Sequence, residues 1–356
     1  MRSQTMLAGP AVAAVAGGAA MVGRNRYNAD RRATQLAAER PPIPPPLPAA
    51  RTVALPDRGE AFFRDTGPAP GTPALLLHGW GATADLNFYA AYDPVAADRR
   101  VLAPDHRGHG RGMRPALPFT LEDCADDAAA LIKTLGLPPV VAVGYSMGGP
   151  IAMLLAHRHP DLVAGLVVEA TALEWSQHWW ERLQWRGMGL VELGLRLGAG
   201  QRVITRFLER GASHRSDVAE LAPWMASEFR RGDPMAVADA GRALAAYDAR
   251  PWAASLSCPA ACVVTVADRL VRPSKQRALA ATLHAAVFEL DADHDAPALR
   301  PEAFGEITRL AVGHIARWAE ARQAAPAGVA VSRTGAHPAS ENRASTSSGV
   351  SGRAKQ

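Results

Sequence analysis

From about residue 51 to residue 320, short apolar runs alternate with stretches whose apolar residues recur every three or four positions. The runs TVAL and EAFFRDTG flank Asp57–Gly59 and predict an opening β-hairpin. ALLLHG, RVLAPD, PVVAVGYS, GLVVEA, ACVVTVAD and AVFELD are apolar without alternation, which predicts strands buried on both faces. Helical patterns separate most of them, at 121–135, 147–157, 274–283 and 302–319. In the last, Phe304, Ile307, Leu310, Ile315 and Trp318 are expected on one face. Strand–helix alternation predicts an α/β fold, a mostly parallel sheet with helices on both faces. Residues 172–250 break the rhythm: they hold no convincing strand but carry Trp, Leu and Arg at helical spacing, which predicts a helical insertion above the sheet.

The ends differ from this body. Residues 6–22 are apolar and uncharged, with Arg2 before them and Arg24, Arg26, Arg31 and Arg32 after. As a helix, 17 residues span roughly 26 Å, just short of a ~30 Å hydrocarbon core. A membrane anchor is preferred over a flexible leader, and both over a secretory signal, because the heavier positive charge follows the apolar run and no small-residue cleavage site is evident. That charge asymmetry would keep the main domain cytoplasmic. PPIPPPLP (Pro41–Pro48) is expected to be an extended spacer, so that residues 1–50 form leader plus linker. Residues 321–356 are rich in Ala, Ser, Gly and Arg without apolar periodicity and are expected to be a disordered tail.

Composition changes the picture in two places. The chain has 356 residues, 48% hydrophobic and 21% charged, enough for a substantial core. Its net charge of +5 sits at the ends, since residues 1–51 carry +5 and residues 322–356 carry +4, leaving the body at −4. A basic face on a folded module is therefore lacking, which argues against a nucleic-acid partner. Three cysteines, Cys124, Cys258 and Cys262, make no disulfide framework, and no second Cys/His pair stands at ligand spacing.

The candidate chemistry centres on GYSMG, a G-x-S-x-G pattern between a buried strand and a helix. In so tight a turn, side chains two positions either side of the serine would collide with strand and helix, and Gly144 and Gly148 remove them. The hydroxyl of Ser146 is then exposed at the sheet edge, and the N–H of Met147 at the helix start can face an oxyanion. A serine needs a base, and the base an orienting carboxylate. In the expected chain order, Asp268 follows the strand in VVTVADRLVRP and His294 follows the next in FELDADHDAP. Asp248 and Asp291 are weaker rivals because neither leaves a strand into a Pro-terminated loop, and His284 and His314 fall within helical patterns. In LLLHGWGA the N–H of Trp80 is the second candidate oxyanion donor, with His78 as loop organiser. Asp105, His106 and His109 read as a loop-bracing network in preference to a metal site. Asp123, Asp126 and Asp127 read as a solvated helix start and face. No cofactor and no metal are expected.

HGWG (His78–Gly81), DHRGHG (Asp105–Gly110), GYSMGG (Gly144–Gly149), the Asp268 loop and the His294 loop arrive in an order that resembles the α/β-hydrolase superfamily, over about residues 51–320. The resemblance implies an eight-stranded, mostly parallel sheet with a helical cap inserted after the sixth strand, and Ser146, Asp268 and His294 as nucleophile, acid and base. An elbow serine argues against the branches whose nucleophile is aspartate. One departure is Gly110-Arg111-Gly112-Met113, where many relatives carry a serine. The superfamily does not fix the substrate; hydrolysis of carboxylic esters is the leading reading, with an apolar acyl or alcohol portion expected if part of the aromatic surface of the cap lines the site. A cofactor-free haloperoxidase or perhydrolase, a carbon–carbon bond hydrolase and an amidase or lactonase use the same triad, and a scaffold on a dead hydrolase fold is disfavoured. The cap carries Trp175, Trp179, Trp180, Trp185, Trp224 and Trp252 with Met188 and Met225, expected more as packing than as pocket.

Overall fold

Period-two side-chain alternation places neighbouring residues of a strand on opposite faces, and here both faces are apolar. The computed structural model describes residues 42–114, 118–176 and 216–324, all within the unit Met1–Ala324. Among them, β1 (Ala49–Leu55), β2 (Gly59–Asp65), β3 (Gly71–Leu77), β4 (Arg99–Pro104), β5 (Val140–Tyr145), β6 (Val163–Glu169), β7 (Ala260–Thr265) and β8 (Ala286–Leu290) form one sheet. Its order is β1-β2-β4-β3-β5-β6-β7-β8. β2 runs antiparallel to both neighbours, and every other pairing is parallel.

The described helices are α1 (Ala84–Phe88), α2 (Tyr92–Ala96), α3 (Leu121–Thr134), α4 (Gly148–Arg158), α5 (Ser216–Phe229), α6 (Pro234–Ala246), α7 (Pro273–Thr282), α8 (Ala296–Leu299) and α9 (Pro301–Ala324). Leu75, Leu77, Ala142, Leu166, Val168 and Val264 face one side and share a core with Ile132 of α3, Ile151 of α4 and Leu279 of α7. Ala74, Leu76, Val141, Val143, Val167 and Val263 face the other, against Phe88 of α1, Val95 of α2 and Ile315 of α9. Burial of each large aliphatic side chain contributes roughly 1.5–3 kcal/mol, so the two-sided core explains why these strands show no polar alternation. Thr120 starts α3 by accepting the Asp123 N–H at 3.0 Å, and Asp233 starts α6 by accepting from Met235 and Ala236.

The interval 172–250, expected as an insertion, is described at its ends. Ala249 N–H donates to the Leu173 carbonyl at 2.8 Å, and Glu174 bridges Asp248 in antiparallel fashion. Between them α5 and α6 dock on the loops that follow β3 and β4. The Asp233 N–H donates to the Gly108 carbonyl at 2.9 Å. Gly108 has φ +73°, and a Cβ there would lie less than 3.0 Å from the Ala236 Cβ. Arg111 forks onto Glu228 at 2.7 and 3.0 Å, which ties the β4 loop to α5. Trp224 and Met225 are buried against Leu86, and Trp252 stacks on His157 at 4.6 Å. Trp179, Trp180, Trp185 and Met188 lie outside the described residues.

Several expectations need correction. Leu310 is 36% exposed; the buried face of α9 runs instead through Phe304, Thr308, Ala311, Val312 and Ile315, because Leu310 is rotated roughly 120° from Phe304 at 100° per residue. His284 is not helical: it follows α7 in a left-handed turn, φ 50°. Asp126 and Asp127 are ion-paired, Asp127 with Arg58 and Arg107 and Asp126 with Arg158 and His159. The five-residue helices α1 and α2 were not expected, being too short to show a period. The Pro-rich stretch is not wholly free of the body: Leu47 packs partly on the core, and the Pro48 carbonyl accepts from Arg64 at 3.0 Å. No helix among the described residues is long and apolar enough to cross a membrane; the apolar leader at 6–22 lies outside them, as does the tail beyond 324.

Candidate active site

The strand end of β5 delivers Ser146 with φ 53°, a left-handed conformation that costs a side-chain-bearing residue energy. The chain around it enforces the turn. A Cβ at Gly144 would lie under 3.0 Å from the Gly148 carbonyl oxygen, and one at Gly148 under 3.0 Å from the Leu77 carbonyl oxygen. Ser146 N–H donates to the Glu169 carbonyl at 2.9 Å, and Gly149 N–H to the Ser146 carbonyl at 2.9 Å. Met147 is the N-cap residue of α4, where backbone N–H groups lack acceptors within the helix.

The loops after β7 and β8 bring Asp268 and His294 to this serine. His294 Nε2 lies 3.0 Å from Ser146 Oγ, and Nδ1 lies 2.9 Å from Asp268 Oδ2. The tautomer that satisfies both has Nδ1–H donating to the carboxylate and Nε2 accepting from the hydroxyl. Asp268 is 4% exposed. Its Oδ1 accepts the N–H groups of Leu270 at 2.9 Å and Val271 at 2.8 Å. Its Oδ2 also accepts from Thr265 Oγ1 at 2.8 Å. The histidine loop is pinned separately: Asp293 Oδ1 accepts both the His294 N–H at 2.8 Å and the Arg269 N–H at 2.9 Å, and the Tyr145 hydroxyl donates to the His294 carbonyl.

The loop after β3 passes beside the serine, since a Cβ on Gly79 would lie 3.2 Å from the Ser146 Cβ. Asn87 Oδ1 takes the Gly79 N–H at 2.7 Å, and the Trp80 indole donates to the Val237 carbonyl of α6 at 2.6 Å. Beneath this loop stand three buried histidines. His78 Nδ1–H donates to the Gly79 carbonyl at 2.8 Å, and its Nε2 accepts the His106 N–H at 2.9 Å. Burial holds His78 well below the usual histidine range, His106 at about 3 and His109 at about 4, so all three are neutral braces. Asp105, pushed up to about 6 by burial, accepts the Ala84 and Arg111 N–H groups at 2.8 Å. Among the described residues no three His, Cys, Asp or Glu side chains converge as metal ligands.

The rivals stand elsewhere. Asp248 pairs with Arg250 at 2.6 Å, Asp291 and His284 are exposed, and His314 packs on Phe288 in α9. Sequence reasoning missed Asn87, Thr265, Asp293 and Gln276, which touch the site's residues through side-chain hydrogen bonds that no local pattern signals. A cavity of about 460 Å³ lies between the start of α3 and α6, lined by Phe119, Leu121, Ala243 and Tyr247 among others. None of Ser146, Asp268 and His294 lines it.

Residues 72–300 match the family model described as alpha/beta hydrolase fold. The chain belongs to the α/β-hydrolase family. A pimeloyl-[acyl-carrier protein] methyl ester esterase of Chromobacterium violaceum is 32% identical to this α/β-hydrolase chain over 237 residues, 65% of this chain and 90% of that one. A non-heme chloroperoxidase of Streptomyces lividans is 35% identical over 123 residues, 33% of this chain and 43% of the relative, so the match spans less than half of that protein. Among solved structures, a thermophilic esterase from Thermogutta terrifontis superposes with a TM-score of 0.62 at 25% identity, covering 75% of this chain and 99% of that one.

Proposed function

We propose that this α/β-hydrolase chain is a serine hydrolase that cleaves carboxylic esters of apolar acyl or alcohol groups. The observation that carries the reading is the unbroken hydrogen-bonded line from Asp268 through His294 to Ser146 on a strained strand–helix turn. In the proposed cycle His294 Nε2 takes the hydroxyl proton as Ser146 Oγ attacks the ester carbonyl. Asp268 keeps the imidazole in the tautomer that can accept it and stabilises the imidazolium. The N–H groups of Trp80 and Met147 receive the negative oxygen. Collapse expels the alcohol, which takes the proton from His294 and leaves an acyl-Ser146. A water molecule, deprotonated by the same histidine, releases the acid and restores the serine. No metal takes part.

The apolar preference rests on the cap. Met147, next to the serine, shares one buried cluster with Trp175, Leu244 and Tyr247, and Trp80 packs against it. The similarity to a methyl ester esterase over 90% of its length supports ester chemistry. The chloroperoxidase similarity supports a second reading, in which hydrogen peroxide replaces water at the acyl-enzyme and a peracid is released. Screening p-nitrophenyl esters of graded chain length, with and without peroxide, tests both. Turnover that needs no peroxide supports the ester hydrolase, peracid formation as the faster reaction supports the second reading, and neither reaction overturns both.

A further inference from the structure

Gln276 lies in the first turn of α7 and is fully buried. A buried primary amide must match a donor with its oxygen and acceptors with its nitrogen, and its surroundings allow one orientation. Oε1 accepts the Thr265 N–H at 3.0 Å. Nε2 faces acceptors: the Val271 carbonyl at 2.7 Å, Thr265 Oγ1 at 2.9 Å and Asp268 Oδ2 at 3.1 Å. One hydrogen serves Val271, and the other serves the Thr265 hydroxyl and the carboxylate together. The hydroxyl gives its own hydrogen to Asp268 Oδ2 at 2.8 Å. This is the same oxygen that meets His294 Nδ1.

We propose that Gln276 is a positioning residue for catalysis, which fixes and partly neutralises the Asp268 oxygen facing His294, directly and through the Thr265 hydroxyl. The inference rests on the triad reading above. Its physical content is a competition for one oxygen. Each donor aimed at Oδ2 draws off negative charge that would otherwise stabilise the imidazolium. Gln276 and Thr265 therefore limit the charge that faces His294 as well as fixing the oxygen that aims it. The other charged and titratable groups around His294 are Asp293 and Asp295 on its own loop, Arg269 paired to Asp293, and Tyr145 of β5 with Glu169 of β6 beyond it. None of these makes a hydrogen bond to Gln276, so its substitution leaves those bonds in place.

Gln276→Met keeps the volume and removes both donors and the acceptor. The test compares Gln276→Met with the wild-type chain on one p-nitrophenyl ester across pH, with rates normalised to active sites titrated by a fluorophosphonate. The expected result is a loss of about tenfold in kcat per titrated site with KM unchanged. The midpoint of the rising limb of kcat/KM should move upward by about half a pH unit. Gln276→Glu should recover part of the loss at low pH, where a protonated carboxyl reproduces one donor, and lose it again as pH rises. An unchanged kcat per site with an unmoved midpoint overturns the inference, as does a loss confined to the number of titratable sites, which is what a purely structural role gives. Thr265→Val, read by the same criteria, decides the matter if Gln276→Met does not fold. If the fluorophosphonate fails to label Ser146 in the wild type, the triad reading falls, and this inference with it; normal wild-type labelling with an unaltered Gln276→Met profile removes this inference alone.

Discussion

Glu169 ends β6, its carbonyl taking the Ser146 N–H at 2.9 Å, and is 1% exposed. Its Oε1 accepts the Thr308 hydroxyl at 2.9 Å, while its Oε2 is buried with no hydrogen-bond partner among the described residues. Burial without an ionic partner pushes its carboxyl from 4.5 up to about 8. Between those values the folded protein holds a proton that the unfolded chain has released, so stability falls as pH rises, by up to ~1.4 kcal/mol per pH unit. The buried histidines act in the opposite sense. His78, His106 and His109 are neutral when folded, so their contribution grows as pH rises and levels off about one pH unit above the ordinary histidine value of 6.5. Asp105 gives up its extra proton around pH 6 and adds little above pH 7. From pH 6.5 to 8 the histidines still offset part of the Glu169 effect, so it is isolated as the difference between the wild type and a variant that cannot ionise at 169, roughly 1.5 kcal/mol. Glu169→Gln keeps the shape and the acceptor for Thr308 but cannot ionise. Urea unfolding at pH 6.5 and pH 8.0 should show the wild type changing less favourably than Glu169→Gln by roughly 1.5 kcal/mol. An equal change in both proteins refutes the assignment of this pH dependence to Glu169.

Three further outcomes follow from the site and the cap. Gly148→Ala forces a Cβ to within 3.0 Å of the Leu77 carbonyl oxygen and should cost roughly 2–4 kcal/mol in a thermal or urea melt; a loss below 0.5 kcal/mol contradicts the close approach. Asp268→Asn should fold and yet lose about three to four powers of ten in kcat, because the imidazole takes the wrong tautomer; steady-state kinetics with wild-type-like turnover sink the acid assignment. Activity should rise from acetate to medium-chain esters by up to about 0.8 kcal/mol in kcat/KM per added CH₂, and equal turnover across the series removes the apolar cap from the account.

The sheet was legible because its residues answer to two-sided burial alone. Leu75, Leu76 and Leu77 are each fully buried, and a run that serves both faces needs no knowledge of its partners to be recognised. Ser146 was legible for a related reason: its glycines at two residues either side are required by a backbone collision that is local in sequence. Asp268 and His294 followed from strand ends and chain order. Gln276, Asn87 and Asp293 were not legible, because what makes each one matter is a carboxylate or an amide on another loop. Leu310 shows the limit of periodicity, since a long helix with a narrow buried face leaves some apolar residues outside. Arg111 shows the converse: its tie to the cap-side helix α5 is visible only through Glu228, 117 residues later at 2.7 Å.

In the proposed cycle Ser146 becomes acylated. The direct measurement is mass spectrometry of the purified chain after reaction with a fluorophosphonate, with Ser146→Ala as the control and ester turnover recorded on both. One adduct is expected, on the peptide that carries Ser146, with turnover lost by several powers of ten in a Ser146→Ala protein that still melts as the wild type does. Unchanged turnover by folded Ser146→Ala, or an adduct confined to another residue, contradicts it.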